Sequence, residues 1–217
     1  MGVIVLKKSQ EKNGPGFRLG LKNCDISLQE LLNQMNRFIE AGGLPRLWPE
    51  QIRQCAGCHL CCHEPLPVTS IDLFNICRAL EIDFIEAFKY LNLEVDGKVL
   101  DITLKRSNGA CIFLNKQGRC RIYNDRPFLC QTYICCHVHE AVEELRSQVV
   151  NQGMDELVRL AILRFKKEGK ALPVSRGKTK SISLTDWPKN CFSGKNTYAE
   201  LLLENVLSSD LKKVLLV

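Results

Sequence analysis

No window of the 217-residue sequence approaches the roughly 18 uninterrupted apolar residues that a membrane helix needs, and the early run Val3 to Leu6 stops at Lys7-Lys8. This excludes a spanning helix and a classical export signal, and the expected location is the cytoplasm. The start, Met1-Gly2-Val3-Ile4-Val5-Leu6, lacks the Ser or Thr at position six that a myristoylation site wants. Also missing are a P-loop, a Gly-rich strand-to-helix turn of the dinucleotide-binding kind, a Ser-His-Asp arrangement and paired catalytic carboxylates. The commonest hydrolase, phosphoryl-transfer and hydride-transfer signatures are therefore absent. There is no internal repeat. With 14 Gly, 8 Pro, 45% hydrophobic and 25% charged residues, the chain is neither a disordered tail nor a disulfide miniprotein. Its length suits roughly one domain with a substantial core.

The 12 cysteines are present in a pattern. Four fall within residues 55–62 and five within residues 111–136, so nine of the twelve sit in two short blocks. All four histidines lie in or just after these blocks, as His59, His63, His137 and His139. In a reducing compartment, thiols clustered in this way read as metal ligands or redox groups rather than disulfides.

Hydrophobic spacing organises the rest. Residues 1–26 read as a short strand followed by a turn-rich arm containing Asn13-Gly14-Pro15-Gly16. Ser27-Leu28-Gln29-Glu30 is a capping box, and the apolar spacing from Leu28 to Ile39 predicts a helix over about residues 28–40. Ser70 is expected to cap a helix carrying Ile71, Phe74, Cys77 and Leu80, and Asp83 another from Phe84 to Leu91. Asp96-Gly97 marks a hairpin ahead of the alternating run Val99 to Leu104. Residues 111–114 and 119–123 predict a second hairpin. A helical pattern runs from Val138 to Gly153 and resumes beyond it to Phe165. A polar loop over residues 168–190 precedes a last helix from Thr197. The expected fold is α+β: mainly helical, with a small antiparallel element carrying the second cysteine block. An N-terminal arm and helix span 1–51, a cysteine-cluster metal-binding domain 52–135, and a helical extension packed into the same unit 136–217.

Cys55-Ala56-Gly57-Cys58-His59-Leu60-Cys61-Cys62 is the sharpest signal. A C-x2-C step makes a tight turn whose sulfurs converge on one metal, and a further x2 adds a third sulfur. Neighbouring Cys61 and Cys62 normally point apart, so one completes this wrap and the other reaches elsewhere. Cys111 and Cys120 flank the predicted hairpin turn, and Cys130 follows Arg126-Pro127, where proline can begin a helix. One zinc or one cubane cluster takes four protein ligands, leaving spare cysteines for a second metal or a catalytic thiol.

The C-x2-C-x2-C-C block followed by C-x8-C-x-I-Y-x-x-R-P-x-x-C resembles the CxxCxxCC, or YkgJ-type, family of zinc- or iron-chelating cysteine-cluster proteins. The resemblance covers about residues 52–135. It implies that the family's cysteines fall on Cys55, Cys58, Cys61, Cys62, Cys111, Cys120 and Cys130, with Tyr123, Arg126 and Pro127 in the signature between the last two. Gln131 stands where family members usually have Arg. Cys135 and Cys136, followed by His137, are an addition that the resemblance does not place. More distantly, the motif is similar to that of flagellin lysine methylases, which implies an iron–sulfur cluster and methyl transfer from S-adenosylmethionine.

The first-block spacing resembles a bacterial ferredoxin run, whereas zinc sites more often use two separated C-x2-C pairs and the second block has none. Iron–sulfur is therefore placed ahead of zinc. Zinc-type sites contribute about 10–16 kcal/mol, comparable with a domain's net stability, so metal removal is expected to unfold residues 52–135. Arg126 is a candidate to offset the charge of the thiolates, with a surface salt bridge as its plain alternative. Cys24, Cys77 and Cys191 read as ordinary core or surface cysteines. Cys135 and Cys136 stand between ligand and plain thiol. The histidines read as loop or helix-end residues before they read as ligands. The net charge is +6, and residues 159–180 carry eight Lys/Arg against Glu168 alone. That stretch lacks a stacking platform or RNA-binding motif and reads as a solvated face. Three functions compete: an iron–sulfur protein in redox or methyl-transfer chemistry, a zinc-stabilised module engaging a protein partner through the basic stretch, and a metal chaperone or thiol sensor. The oligomeric state is open.

Overall fold

Ile4–Glu11 (β1) and Gly14–Leu21 (β2) pair antiparallel along their full length, from Ile4 opposite Leu21 to Glu11 opposite Gly14. These coordinates are a computed structural model that describes residues 4–12, 14–41, 59–97, 99–133, 137–177 and 182–217. The N-terminal segment is thus a two-stranded hairpin, not one strand and an arm. The Gly-Pro-Gly run that looked like pure turn opens β2, and alternate positions Phe17, Leu19 and Leu21 bury inward. Two residues, His137–Val138 (β7), add to β2 in parallel.

The helix Leu28–Glu40 (α1) keeps its expected bounds. Ser27 Oγ accepts from the Glu30 amide, and Leu28, Leu31, Leu32 and Met35 form the buried stripe. Ser70–Leu80 (α2) is capped one residue earlier than expected. Thr69, not Ser70, is the cap, and its reciprocal partner is Asp72. Phe84–Ala87 (α3) is capped by Asp83 and ends early, because residues 88–90 tighten into a 3-10 turn that hands the chain to Leu91–Asp96 (β3). β3 and Val99–Leu104 (β4) form the expected hairpin, with Asp96 paired opposite Val99. The second hairpin is shifted. Arg106–Ser107 (β5) pairs with Ala110–Cys111 (β6), and the predicted 111–123 pairing shrinks to one bridge between Leu114 and Cys120.

After the short helix Phe128–Thr132 (α4), one helix of 28 residues, Glu140–Lys167 (α5), passes straight through Gly153. The last expected helix is broken instead into a 3-10 turn at 198–200, Leu203–Val206 (α6) and Ser209–Leu215 (α7). The class is α+β, as expected. Two apolar cores share α5. The first joins β1, β2, α1 and the first half of α5 to Phe192, Tyr198, Leu201, Leu203 and Leu215. The second joins α2, β3, β4, Phe113 and Ile122 to Leu157, Val158, Ala161 and Phe165 of the second half. Leu129 and Met154 pack against both.

Candidate metal centre

Three separately anchored pieces of chain bring cysteines to one place. The first is the 3-10 turn Leu60–His63, closed by Cys62 N–H donating to His59 O at 3.0 Å. Arg106 Nη1 donates to His63 O at 2.9 Å, fastening this turn to the β5–β6 hairpin. Further on, Leu104 N–H donates to Leu66 O and Val68 N–H to Ile102 O, laying residues 66–68 beside β4.

The second piece is the loop from Cys111 to Cys120. Asn115 Oδ1 accepts from the amides of Gln117 and Arg119 at 3.0 and 2.9 Å, and Gly118 takes the left-handed φ of 72° that such a tight return needs. Arg121 N–H donates to Phe113 O, so Cys111 and Cys120 return to the same side. The third piece is α4. Pro127 occupies its cap and Cys130 lies in its first turn.

Cys61, Cys62, Cys111, Cys120 and Cys130 all line one cavity of about 30 Å³, together with Leu66, Leu104, Phe113, Ile122 and Pro127. Burial pushes the thiols of Cys111 and Cys120 up. It pushes Cys130 well up, and the neighbouring sulfurs and Asp72 add to the effect. Cys61 is raised first by its hydrogen bond with the Cys62 side chain and then by burial. Apolar walls with several soft donors suit a thiolate-bound metal, because a cation would reverse this mutual repulsion and displace the thiol protons. The donor set therefore fits zinc or iron by its chemistry. Among the described residues, no three His, Cys, Asp or Glu side chains are yet closed around a point that could hold an ion. Cys55 and Cys58, assigned as ligands by the family motif, lie outside the described residues, as do Cys135 and Cys136.

Arg126 and Tyr123 stand beside this cavity. The guanidinium lies 4.1 Å from the Tyr123 ring centre, donates to Tyr123 O at 3.0 Å and donates to Asn36 Oδ1 at 3.0 Å. Its positive charge pulls the Cys61 and Cys120 thiols down, against the larger effects that raise them. Among the described residues Arg126 is in no recorded ion pair. Gln131 completes the ring: its amide donates to Arg126 O and its carbonyl oxygen accepts from Asn36 Nδ2. The residue that departs from the family pattern thus holds Arg126 in place.

The other candidates lie elsewhere. Cys24 belongs to the first core, Cys77 packs against the second, and the Cys191 thiol donates to Gln152 Oε1 at 3.1 Å. His59 and His63 face each other with ring nitrogens 3.4 Å apart and do not line the cavity. His139 caps α5 by accepting from the Ala141 amide, and His137 sits in β7. The basic stretch is partly consumed inside the fold: Arg159 pairs with buried Glu156 at 3.2 Å, and Arg164 lies over the Phe84 ring. Lys178 and Lys180 lie outside the described residues.

Sequence reasoning missed Asp72 and Tyr198. Both are about 1% exposed, and Tyr198 Oη donates to Asp72 Oδ1 at 2.7 Å. Burial raises the Asp72 carboxyl, opposed by the donors of Thr69, Tyr198 and Phe128. The available signal was the Thr69-x-x-Asp72 spacing, which reads as a local capping box and says nothing of a partner 126 residues away.

Five cysteines lining one cavity on an α+β frame are the donor set that a metal-chelating cysteine-cluster protein would use. Residues 54–152 match the sequence model of the CxxCxxCC family, described as a putative zinc- or iron-chelating domain. No curated protein and no solved structure matches the chain. No helix among the described residues is long and apolar enough to cross a membrane.

Proposed function

We propose that the cavity, completed by Cys55 and Cys58, holds an iron–sulfur cluster and that the protein works in redox chemistry. The carrying observation is that five cysteines from three separately fixed chain segments line one apolar cavity. With the two assigned from the first block, that makes seven candidate thiolates, more than one zinc ion uses. Such a cluster supplies one-electron storage when bound. The chain's own contributions are apolar walls that exclude water and a guanidinium at Arg126 that offsets thiolate charge. Methyl transfer from S-adenosylmethionine belongs to the distant resemblance alone, and a calorimetric titration with that compound tests it.

One observation favours zinc as a second reading. The family model that matches residues 54–152 names zinc beside iron as the chelated metal, and four thiolates of this set would complete a tetrahedral zinc site. Anaerobic purification followed by metal and sulfide analysis with an absorption spectrum separates the two. Brown protein with matching iron and acid-labile sulfide is the expected result. Colourless protein with stoichiometric zinc replaces the cluster with a zinc centre, and protein that takes up neither metal overturns the site.

A further inference from the structure

We infer that Asp72 and Tyr198 are positioning residues for Cys130, so that a segment outside the family-matched stretch sets how firmly the centre keeps its metal. The inference rests on the reading of the cavity as a metal centre, and its geometry is independent of which metal is bound.

α4 is too short to stabilise itself, and Pro127 offers its first turn no side-chain cap. The orphan amide of Phe128 donates instead to Asp72 Oδ1 at 2.8 Å, across 56 residues of sequence. That same oxygen accepts the Tyr198 hydroxyl at 2.7 Å, while Oδ2 accepts the Thr69 amide at 2.9 Å. Thr69 Oγ1 lies 2.7 Å from Tyr198 Oη. Since the tyrosine proton is committed to Asp72, the threonine hydroxyl donates to the tyrosine oxygen and the ring of bonds closes. Only a carboxylate has enough lone pairs for three donors arriving from three segments, which accounts for an acid with 1% exposure among neutral partners.

Cys130 is two residues past Phe128, and Pro127 lines the same cavity as its sulfur. Asp72 therefore fixes the α4 turn that aims this thiol. Tyr198 fixes Asp72, and lies in the core with Leu201 and Leu203. Cys111 and Cys120 hang from the 106–121 loop, which makes no hydrogen bond to this ring, and they serve as controls within the same molecule.

The test is Tyr198→Phe in the full chain, read in two ways. In the protein as purified, iodoacetamide labelling of each cysteine is followed by peptide mass spectrometry. In zinc-loaded protein, Zn²⁺ release to a chromogenic chelator is timed. Losing the tyrosine hydroxyl, with its bonds to Asp72 and Thr69, is expected to speed Cys130 labelling and zinc release about fivefold each, with Cys111 and Cys120 labelling unchanged. Cys130 labelling at the wild-type rate, or all three cysteines accelerating together, overturns the positioning role. Selective labelling with unchanged zinc release overturns the link to metal retention. Wild-type protein that binds no zinc or iron, yet shows the selective labelling change in the variant, overturns the metal reading while leaving the placement of Cys130 standing.

Discussion

Arg126 shows what one side chain contributes to this centre. Its planar group is held by three contacts at once: the Tyr123 ring face, Tyr123 O and Asn36 Oδ1. A lysine would keep the charge and lose the planar fit. Arg126→Ala is expected to speed metal release to a chelator by about tenfold, with Arg126→Lys intermediate, since groups bracing a metal site typically carry 10–100-fold in affinity. Unchanged release kinetics in both variants would show that the guanidinium only supports the loop. At this scale the sequence was informative about the cysteines, because four in eight residues has no packing explanation. It was silent about Asn36 and Tyr198, whose roles arise from contacts 90 and 126 residues away. A lone Asn on a helix and a lone Tyr in a tail carry no local pattern.

Gly153 gives the clearest case among the secondary-structure elements. A glycine within a helix normally costs about 1 kcal/mol relative to alanine, and the sequence pattern seemed to pause there. The helix nevertheless continues, because α5 passes close to the cap of α2: a Cβ on Gly153 would lie 2.5 Å from Thr69 Cβ and 3.0 Å from Phe192. Gly153→Ala should therefore destabilise the protein by about 1–3 kcal/mol despite its better helix propensity, as an overpacked core position. Urea unfolding measures the sign, and a stabilised variant would mean that the helix shifts aside at little cost. The same contrast explains which elements were legible. α1 kept its bounds because cap, stripe and stop all agree within thirteen residues. The β3–β4 hairpin was marked by its Asp-Gly turn. The apolar residues of the terminal segment keep the rhythm of a single helix, whereas residues 201–203 leave it to hydrogen-bond to Ile26 and Leu28.

Across the whole molecule, the two cores show how the cysteine domain depends on its flanks. The family-matched stretch ends at residue 152, inside α5, and leaves out the Leu157–Phe165 half that closes the second core. It also lacks Tyr198, and Leu28 to Met35, which share the first core with the first half of that helix. A fragment limited to residues 54–152 is expected to lack cooperative unfolding even with metal supplied, whereas the full chain melts as one transition. Far-ultraviolet circular dichroism during heating decides the matter. A sharp transition in the fragment would show that the flanking segments are accessory.

The first core also sets an order of events during synthesis. Strand residues 4–21 share their interior with Leu203, Leu211 and Leu215, and Leu28 N–H donates to Leu201 O at 2.7 Å. These earliest-made residues must wait, unburied, until the ribosome has produced the stretch beyond 200. Before that stretch is complete, the thiols from 55 to 130 have been made and are open to whatever oxidises them. A nascent chain thus exposes these thiols before the tyrosine that braces Cys130 has been made.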